Sequence, residues 1–354
     1  MRRVITTGVL AALIFSISGT IGLAQESMKG DWTGKVKETK KGRQLWLTIR
    51  IDNDEQHRFG NWSSDMPLQD FKGLDANANG PVQFNLSREA GSIVFDGIFK
   101  DGNGVGEFRF TPNAAFLGSM RALGYDNIPT EKQFSMTMHD VSTAYINELK
   151  GAGYDNLELD KLISMRLFQV DAAFINSMRE LGYDKIPADK LVAMRVHHVN
   201  EDFIRDVESM GFKNLPIDKL LAMRIHRIDK DFVAKAKAMG FDLTLDQLMT
   251  MRIHRVDEDF VKSVRELGYG DVPFEKLVQM RIHRVNAGFV KEMDEAGYSR
   301  LPVDKLIQLR IHQIDSKFVQ QMKDAGMNNL TVDELIRLRI HGIDGNEIRR
   351  MRQK

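Results

Sequence analysis

Residues 215–232 read LPIDKLLAMRIHRIDKDF, and this stretch decides the fold because close copies of it continue to the C-terminus. Its arginine, followed by Ile or Val and then His, returns every 29 residues with one interval of 28, at Arg195, Arg224, Arg252, Arg281, Arg310 and Arg339. A phenylalanine keeps the same step, at Phe203, Phe232, Phe260, Phe289 and Phe318. A fixed period of this length predicts an array of stacked structural repeats.

Each repeat has the pattern of two short helices, for which residues 186–212 serve as the example. Pro187 suits the first turn of helix one, where its missing N–H costs nothing, and Asn200 is a side-chain cap for helix two. A glycine suited to a left-handed C-cap ends helix two, at Gly211, Gly240, Gly268 and Gly297. Helices of about ten residues are unstable alone in water. The pattern therefore predicts an α-solenoid of about eight two-helix repeats over residues 113–354.

Residues 25–112 have the alternation of β-strands instead. Apolar and polar residues alternate in Val82–Arg88, Ser92–Lys100 and Val105–Thr111, with Gly and Asn in the turns between them. We expect a small antiparallel β-barrel or sandwich of five to seven strands, with a loop that contains Trp62 and Pro67. The chain as a whole is predicted to be α+β.

The first 24 residues have the pattern of a secretory signal peptide. Met1-Arg2-Arg3 precede an apolar run that ends in small residues near Ala24. This pattern predicts a periplasmic or secreted protein, and the alternative is an uncleaved anchor, because the run approaches the ~20 residues of a membrane-spanning helix. No later segment is apolar enough to span a membrane.

Composition narrows the function classes further. The formal net charge of +1 gives no general reason to expect nucleic acid as a partner. The chain has no cysteine, which excludes disulfides, thiolate metal sites and a cysteine nucleophile. An HExxH zinc helix, a Gly-x-Ser-x-Gly elbow and a phosphate-binding glycine loop are also missing. We therefore expect a protein that is not an enzyme and holds no cofactor.

The repeated histidines raise the question of a metal site. They occupy one repeat position, at His197, His226, His254, His283, His312 and His341. Zinc ligands lie about 2.0–2.1 Å from the metal, whereas equivalent residues of neighbouring repeats are separated by a helix spacing of about 8–10 Å. The spacing favours structural histidines that bond the last carbonyls of helix one or pack on an aromatic ring.

Two residue sets remain as candidate binding surfaces. Arg227, Arg255 and Arg284 follow Arg224, Arg252 and Arg281 by three residues, so the six arginines form either a basic stripe or inter-repeat ion pairs. All three tryptophans, Trp32, Trp46 and Trp62, lie in the predicted β-domain. They are candidate stacking surfaces for a small ligand or glycan.

The repeat resembles helical repeats of secreted bacterial proteins. Its residues are Leu-x-x-Asp-Lys/Glu-Leu-x-x-Met/Leu-Arg-Ile-His-x-Val/Ile-Asp, then Phe and a closing Gly-Tyr. Similar repeats, after a similar β segment, form extracytoplasmic extensions of membrane metallopeptidases of the β-lactam-sensor and antirepressor kind. This chain lacks their HExxH helix and their several membrane spans. The resemblance implies a stand-alone sensing or interaction part, with a membrane metallopeptidase system as a partner.

These observations lead to two functional hypotheses. The first is a non-catalytic protein-interaction scaffold or sensor module that acts through the helical-repeat surface. The alternative is a receptor for a small ligand or glycan that uses the β-domain. The first hypothesis implies a protein partner. Neither hypothesis implies a nucleic-acid partner or a membrane span after signal cleavage.

Overall fold

A computed structural model describes residues 27–40, 42–51 and 60–353. The predicted signal peptide, residues 1–24, lies outside the described residues. In the described part of the chain, no helix is both long and apolar enough to cross a membrane. The chain divides into two compact units, Met1–Ile175 and Asn176–Lys354.

The first unit begins with one antiparallel sheet in the spatial order β3-β2-β1-β7-β6-β5-β4. Its strands are β1 (Met28–Thr39), β2 (Gly42–Ile51), β3 (Gly60–Pro67), β4 (Phe71–Lys72), β5 (Gly80–Arg88), β6 (Gly91–Lys100) and β7 (Asn103–Pro112). The 3₁₀ turn Leu68–Asp70 joins the two edge strands, β3 and β4. The sheet curls into a half-barrel, which confirms the predicted α+β class and excludes the sandwich alternative.

The concave face of the sheet is an aromatic core. Trp32 is 1 % exposed, its indole N–H donates to the carbonyl of Asp96 at 3.1 Å, and its ring packs edge-on against Phe84. Phe95 stacks on Phe84 with ring centroids 4.8 Å apart. These contacts follow from the period-two alternation, which places every second side chain on the buried face.

The segment that contains Trp62 and Pro67 is a strand rather than the predicted loop. β3 pairs with β2 along its whole length, from Gly60 opposite Ile51 to Pro67 opposite Gln44. The hydroxyls of Thr48 and Ser63 lie 2.9 Å apart. Its polar sequence has little of the aliphatic alternation that marks the other strands. This is consistent with an edge position, where only one side of the strand is paired.

Helices follow the sheet directly, as the change of period at Asn113 predicts. Those that begin in the first unit are α1 (Ala114–Ala122), α2 (Thr130–His139), α3 (Thr143–Gly151), α4 (Leu159–Leu167) and α5 (Ala172–Glu180). Helix α2 packs on β6 and β7, and its Phe134 and Met138 join the core of the sheet. The helical array therefore starts on the sheet itself.

The second unit is entirely helical in its described residues. Its helices are α6 (Ala188–Val196), α7 (Glu201–Ser209), α8 (Ile217–Ile225), α9 (Lys230–Ala238), α10 (Leu245–Ile253), α11 (Glu258–Val264), α12 (Phe274–Ile282), α13 (Ala287–Glu295), α14 (Val303–Ile311), α15 (Ser316–Asp324), α16 (Val332–Ile340) and α17 (Gly345–Gln353). In the described part of the chain, α2 to α17 form eight helix pairs after the single helix α1. This confirms the predicted solenoid-like array.

Local signals in the sequence set the ends of the helices. The N-cap predicted at Asn200 is confirmed, and its counterparts in the other repeats have the same role. A side-chain oxygen accepts a backbone N–H of the first turn at Asn113, Ser142, Asp171, Asn200, Asp229, Asp257, Asn286, Asp315 and Asp344. The predicted glycines after helix two, Gly211, Gly240, Gly268 and Gly297, have φ between 85° and 99°. They are the left-handed C-cap residues that the sequence predicts.

Polar contacts join each repeat to the next. At the starts of the first helices, a lysine pairs with the aspartate of the following repeat, in Lys190–Asp218, Lys219–Asp246, Lys276–Asp304 and Lys305–Asp333. After the C-cap glycine, a tyrosine hydroxyl donates to a leucine carbonyl 32 residues on, at Tyr183, Tyr269 and Tyr298. These hydroxyl bonds are a role of the closing Gly-Tyr of the repeat motif that its spacing does not predict.

Candidate protein-interaction surface

The arginine of the repeat clamps neighbouring repeats together. In Arg310, the guanidinium carbon lies 4.4 Å from the ring centre of Phe289 in the preceding repeat. Its Nε and Nη2 also donate to the carbonyl of Arg284, at 3.2 and 3.0 Å. The same stacking occurs for the pairs Arg224–Phe203, Arg252–Phe232, Arg281–Phe260 and Arg339–Phe318. Cation–π and charge-assisted hydrogen bonds make this position structural.

The predicted basic stripe therefore divides into two sets with different roles. Arg224, Arg252 and Arg281 belong to the clamps, and Arg281 also pairs with Asp257 at 3.0 Å. The second set is Arg227, Arg255 and Arg284, whose side chains are exposed and make no ion pair with any described residue. The inter-repeat ion pairs expected of this second set are absent from the described residues, and lysines carry such pairs instead.

The three unpaired arginines also have an unusual backbone. Their φ angles are 52°, 52° and 57°, in the left-handed region. This conformation is unfavourable for residues with a large side chain and suits Gly or Asn. At its other left-handed turn the chain uses Asn127, Asn156, Asn214 and Asn329, but also Lys185 and Arg300. Long basic side chains are therefore accepted at both turns, and it is their exposure that makes Arg227, Arg255 and Arg284 candidates for a binding surface.

The histidines lie between the two arginine sets, at the ends of the first helices. His197, His226, His254, His283 and His312 are half-buried, and His341 is exposed. Their backbone N–H groups close the last helical turn, but no hydrogen bond of an imidazole occurs among the described residues. The expectation that these side chains bond the last carbonyls is corrected, because the backbone fills that role.

A row of exposed aliphatic side chains runs across the second unit. Each is the last residue of a first helix and lies between the clamp arginine and the histidine. The exposed fractions run from 43 to 60 %. We define the aliphatic row as Val196, Ile225, Ile253, Ile282, Ile311 and Ile340.

Helix formation does not explain the aliphatic row. β-Branched residues have lower helix propensity than Leu, Lys or Glu, and an exposed position gains nothing from apolar side chains. The sequence does contain a signal for the row. Ile225 lies two residues after the buried Met223, about 200° around the helix, and so points away from the core.

Comparison with family models, curated proteins and solved structures found no match for this chain. The candidate surface therefore rests on its own geometry and charge.

The three tryptophans lie in different surroundings. Trp32 is buried in the sheet core, so the expectation that it offers a stacking surface is corrected. Trp46 is 38 % exposed, but the ammonium of Lys37 lies 4.1 Å from its ring centre. Trp62 is half-buried and packs against His139, with ring centroids 6.0 Å apart.

Trp62 and His139 line an open cleft of about 530 Å³ in the first unit. An ionic network forms another wall, in which Arg88 pairs with Asp70 at 2.8 Å and Arg166 pairs with Asp140 at 2.7 Å. Burial, and then the charge of Arg88, lower the pKa of His139 below its ordinary value. The cleft combines an aromatic wall with carboxylates and guanidinium groups.

Among the described residues, no group of three or more His, Cys, Asp or Glu side chains is placed to hold a metal ion. The histidines of successive repeats lie at the ends of separate helices, in agreement with the prediction that a helix spacing separates them.

Proposed function

We propose that this protein is a non-catalytic, extracytoplasmic interaction scaffold that binds a protein segment along the repeat surface of its second unit. The aliphatic row is the observation that carries this proposal. Six large apolar side chains stay half-exposed at one position of successive repeats. Single exposed apolar residues are ordinary, but a contiguous exposed apolar surface is typical of an interaction site.

The free energy available from the row fits a binding role. Fully burying an aliphatic side chain contributes about 1.5–3 kcal/mol, so covering the exposed half of six side chains contributes roughly 5–9 kcal/mol. Association costs an estimated 4–15 kcal/mol in lost freedom. The row alone thus gives weak binding at best, and polar contacts from the neighbouring arginines are needed as well.

The extracytoplasmic location rests on the sequence of residues 1–24, with their arginines and apolar run. The resemblance of the repeats to extracytoplasmic extensions of membrane metallopeptidases supports such a regulatory system as the source of the partner. The repeats of the second unit would then compete for, or join, the interactions of those extensions.

A photo-crosslinking residue at Ile253 tests the proposal in cells that naturally make the protein. We expect one protein to be crosslinked at Ile253 in quantity, because this residue lies in the middle of the row. The same photo-crosslinker at Ile98, an exposed residue on β6, is the matched control. Equal crosslinking patterns from the two sites, or none from Ile253, would contradict the proposal.

The cleft in the first unit favours a second candidate function, a receptor for a small polar ligand or glycan. Of the three tryptophans, Trp62 alone lines the cleft. Its fluorescence therefore tests this candidate, with Trp46 replaced by Phe to remove the more exposed reporter. Envelope glycans that change the emission of the Trp46→Phe protein, but not of a Trp46→Phe/Trp62→Phe protein, would support it. No change with any of them would exclude it.

A further inference from the structure

We propose that the segment bound by the aliphatic row is an acidic, amphipathic α-helix with an apolar side chain at every seventh residue. This inference rests on the proposed function and specifies the chemistry of the partner. It comes from the spacing of the row and from the charges beside it.

The spacing of the row matches a helix. Consecutive first helices contact one another, as in α6–α8, α12–α14 and α14–α16, so equivalent residues lie about 8–10 Å apart. Two turns of an α-helix, seven residues, advance about 10.5 Å. Side chains on one face of an extended strand repeat at about 6.6–6.8 Å. A helix laid across the ends of the first helices can therefore keep one apolar side chain at each repeat, whereas a strand drifts out of step.

The charge beside the row selects an acidic partner. In residues 224–229, 252–257 and 281–286, six arginines accompany two aspartates. The aspartates, Asp229 and Asp257, are N-caps whose carboxylates accept backbone N–H groups. Among the described residues, the side chains of Arg227, Arg255 and Arg284 are exposed without an ion pair. They stand two residues after Ile225, Ile253 and Ile282, which makes these three repeats the centre of the surface.

Two local features act against an acidic partner. Helix C-termini carry a partial negative charge of about half a unit each, and the row lies at such ends. Exposed acids also follow in the first turn of helix two, at Asp231, Glu258 and Asp259. The two arginines of each central repeat exceed the charge of one helix end. The acids of helix two restrict the acidic face of the bound helix to the side of Arg227, Arg255 and Arg284.

A designed peptide tests the inference against the full-length protein. The probe is a 24-residue helical peptide with Leu at every seventh residue, Glu beside each Leu, and Ala and Gln elsewhere. The control peptide has the same composition and helicity, but its leucines are spaced five residues apart and so lie on different faces. We expect the probe to bind at least tenfold more tightly than the control in fluorescence anisotropy.

Variants of the protein locate the binding. Ile225→Lys/Ile253→Lys/Ile282→Lys should weaken probe binding at least tenfold. Arg227→Gln/Arg255→Gln/Arg284→Gln should weaken it several-fold and reduce its dependence on salt. Ile98→Lys/Val105→Lys is the matched control, because this exposed cross-strand pair lies on the sheet, and it should bind the probe like the unaltered protein. Thermal melts confirm that each variant is folded.

Three results would overturn the inference. These are equal affinity for the two peptides, no binding of the probe, and tighter binding to phosphatidylglycerol vesicles that depends on the same isoleucines. The last result would identify an anionic lipid surface instead. The photo-crosslink at Ile253 separates this inference from the proposed function. Capture of a partner there through an extended or basic segment would contradict the helical partner and leave the proposed scaffold function standing. No capture at Ile253 would contradict the scaffold function itself.

Discussion

The carboxylate of Glu89, in the hairpin between β5 and β6, accepts hydrogen bonds from the backbone N–H and the hydroxyl of Thr143, at 2.8 and 2.7 Å. In the second unit, Glu292 makes the same pair of bonds to Ser316 of the next repeat, at 3.0 and 2.5 Å. The equivalent residue of α1 is Ser119, which is not acidic. The hairpin thus gives the first repeat the contact that a preceding repeat gives elsewhere. Terminal repeats of solenoids need such a cap.

Replacing Glu89 should weaken the start of the array. We expect Glu89→Ala to lower the free energy of unfolding by about 1–2 kcal/mol, because two charge-assisted hydrogen bonds at a helix start are lost. Urea unfolding followed by circular dichroism measures the change. Glu107→Ala, at an exposed position of β7, is the control and should change the value by less than about 0.5 kcal/mol. Equal losses for the two variants would show that the contact with Thr143 is dispensable.

The two arginine sets should differ in their effect on stability. Arg310→Ala removes the stack on Phe289 and two hydrogen bonds to a carbonyl, and should cost about 1–3 kcal/mol. Arg284→Ala should stay within about 0.5 kcal/mol of the unaltered protein, because its side chain is exposed and has no ion pair among the described residues. Denaturant titrations of both variants check this. A large loss for Arg284→Ala would mean that the second set is structural as well.

The phenylalanines of the repeat should not be equivalent. Phe289 is 2 % exposed, and Phe289→Ala should cost about 3–5 kcal/mol through the cavity that it opens. Phe232 is half-buried beneath Arg252, with 3.9 Å between the guanidinium carbon and the ring centre. Phe232→Ala should cost about 2 kcal/mol, because less apolar area is lost. A lower melting temperature for Phe232→Ala than for Phe289→Ala would contradict this assignment.

The stability of the first unit should depend on the protonation of His139. Its pKa is lowered in the folded protein, first by burial and then by Arg88. The unfolded chain therefore binds the proton more readily, and the free energy of unfolding should fall as the pH decreases through the ordinary pKa of 6.5. The loss is complete once the pH lies below the lowered pKa of the folded state.

His139→Gln provides the comparison for this pH dependence, because glutamine does not titrate. The difference in unfolding free energy between the two proteins should change between neutral and mildly acidic pH, with the unaltered protein losing more. A nuclear magnetic resonance titration of the His139 ring reports the same shift directly. A pKa at or above the ordinary value would contradict the proposed environment beside Trp62.

Features fixed by local chain geometry were predictable from the sequence. The N-cap at Asn200, with its counterparts in the other repeats, and the C-cap glycines such as Gly211 depend on residues a few positions apart, and the repeat pattern predicted them correctly. Strand β3 was missed because pairing with β2, rather than its own polar pattern, makes it a strand. The contact of Glu89 with Thr143, and the lack of an ion pair at Arg227 in the part of the chain that the structure describes, could not be predicted for the same reason. Both depend on which residues distant in sequence come together.

The repeated contacts have a consequence for the size of the surface. Most repeats of the second unit offer the next one a lysine–aspartate pair, such as Lys276–Asp304, and between α10 and α12 a hydrogen bond from Gln247 to Glu275 takes its place. The arginine clamp, as in Arg310–Phe289, recurs in the same way. Inserting or deleting one whole repeat in the second unit would leave the remaining contacts intact and change only the number of exposed aliphatic residues. The length of the aliphatic row would then change in steps of about 8–10 Å while the half-barrel stays the same.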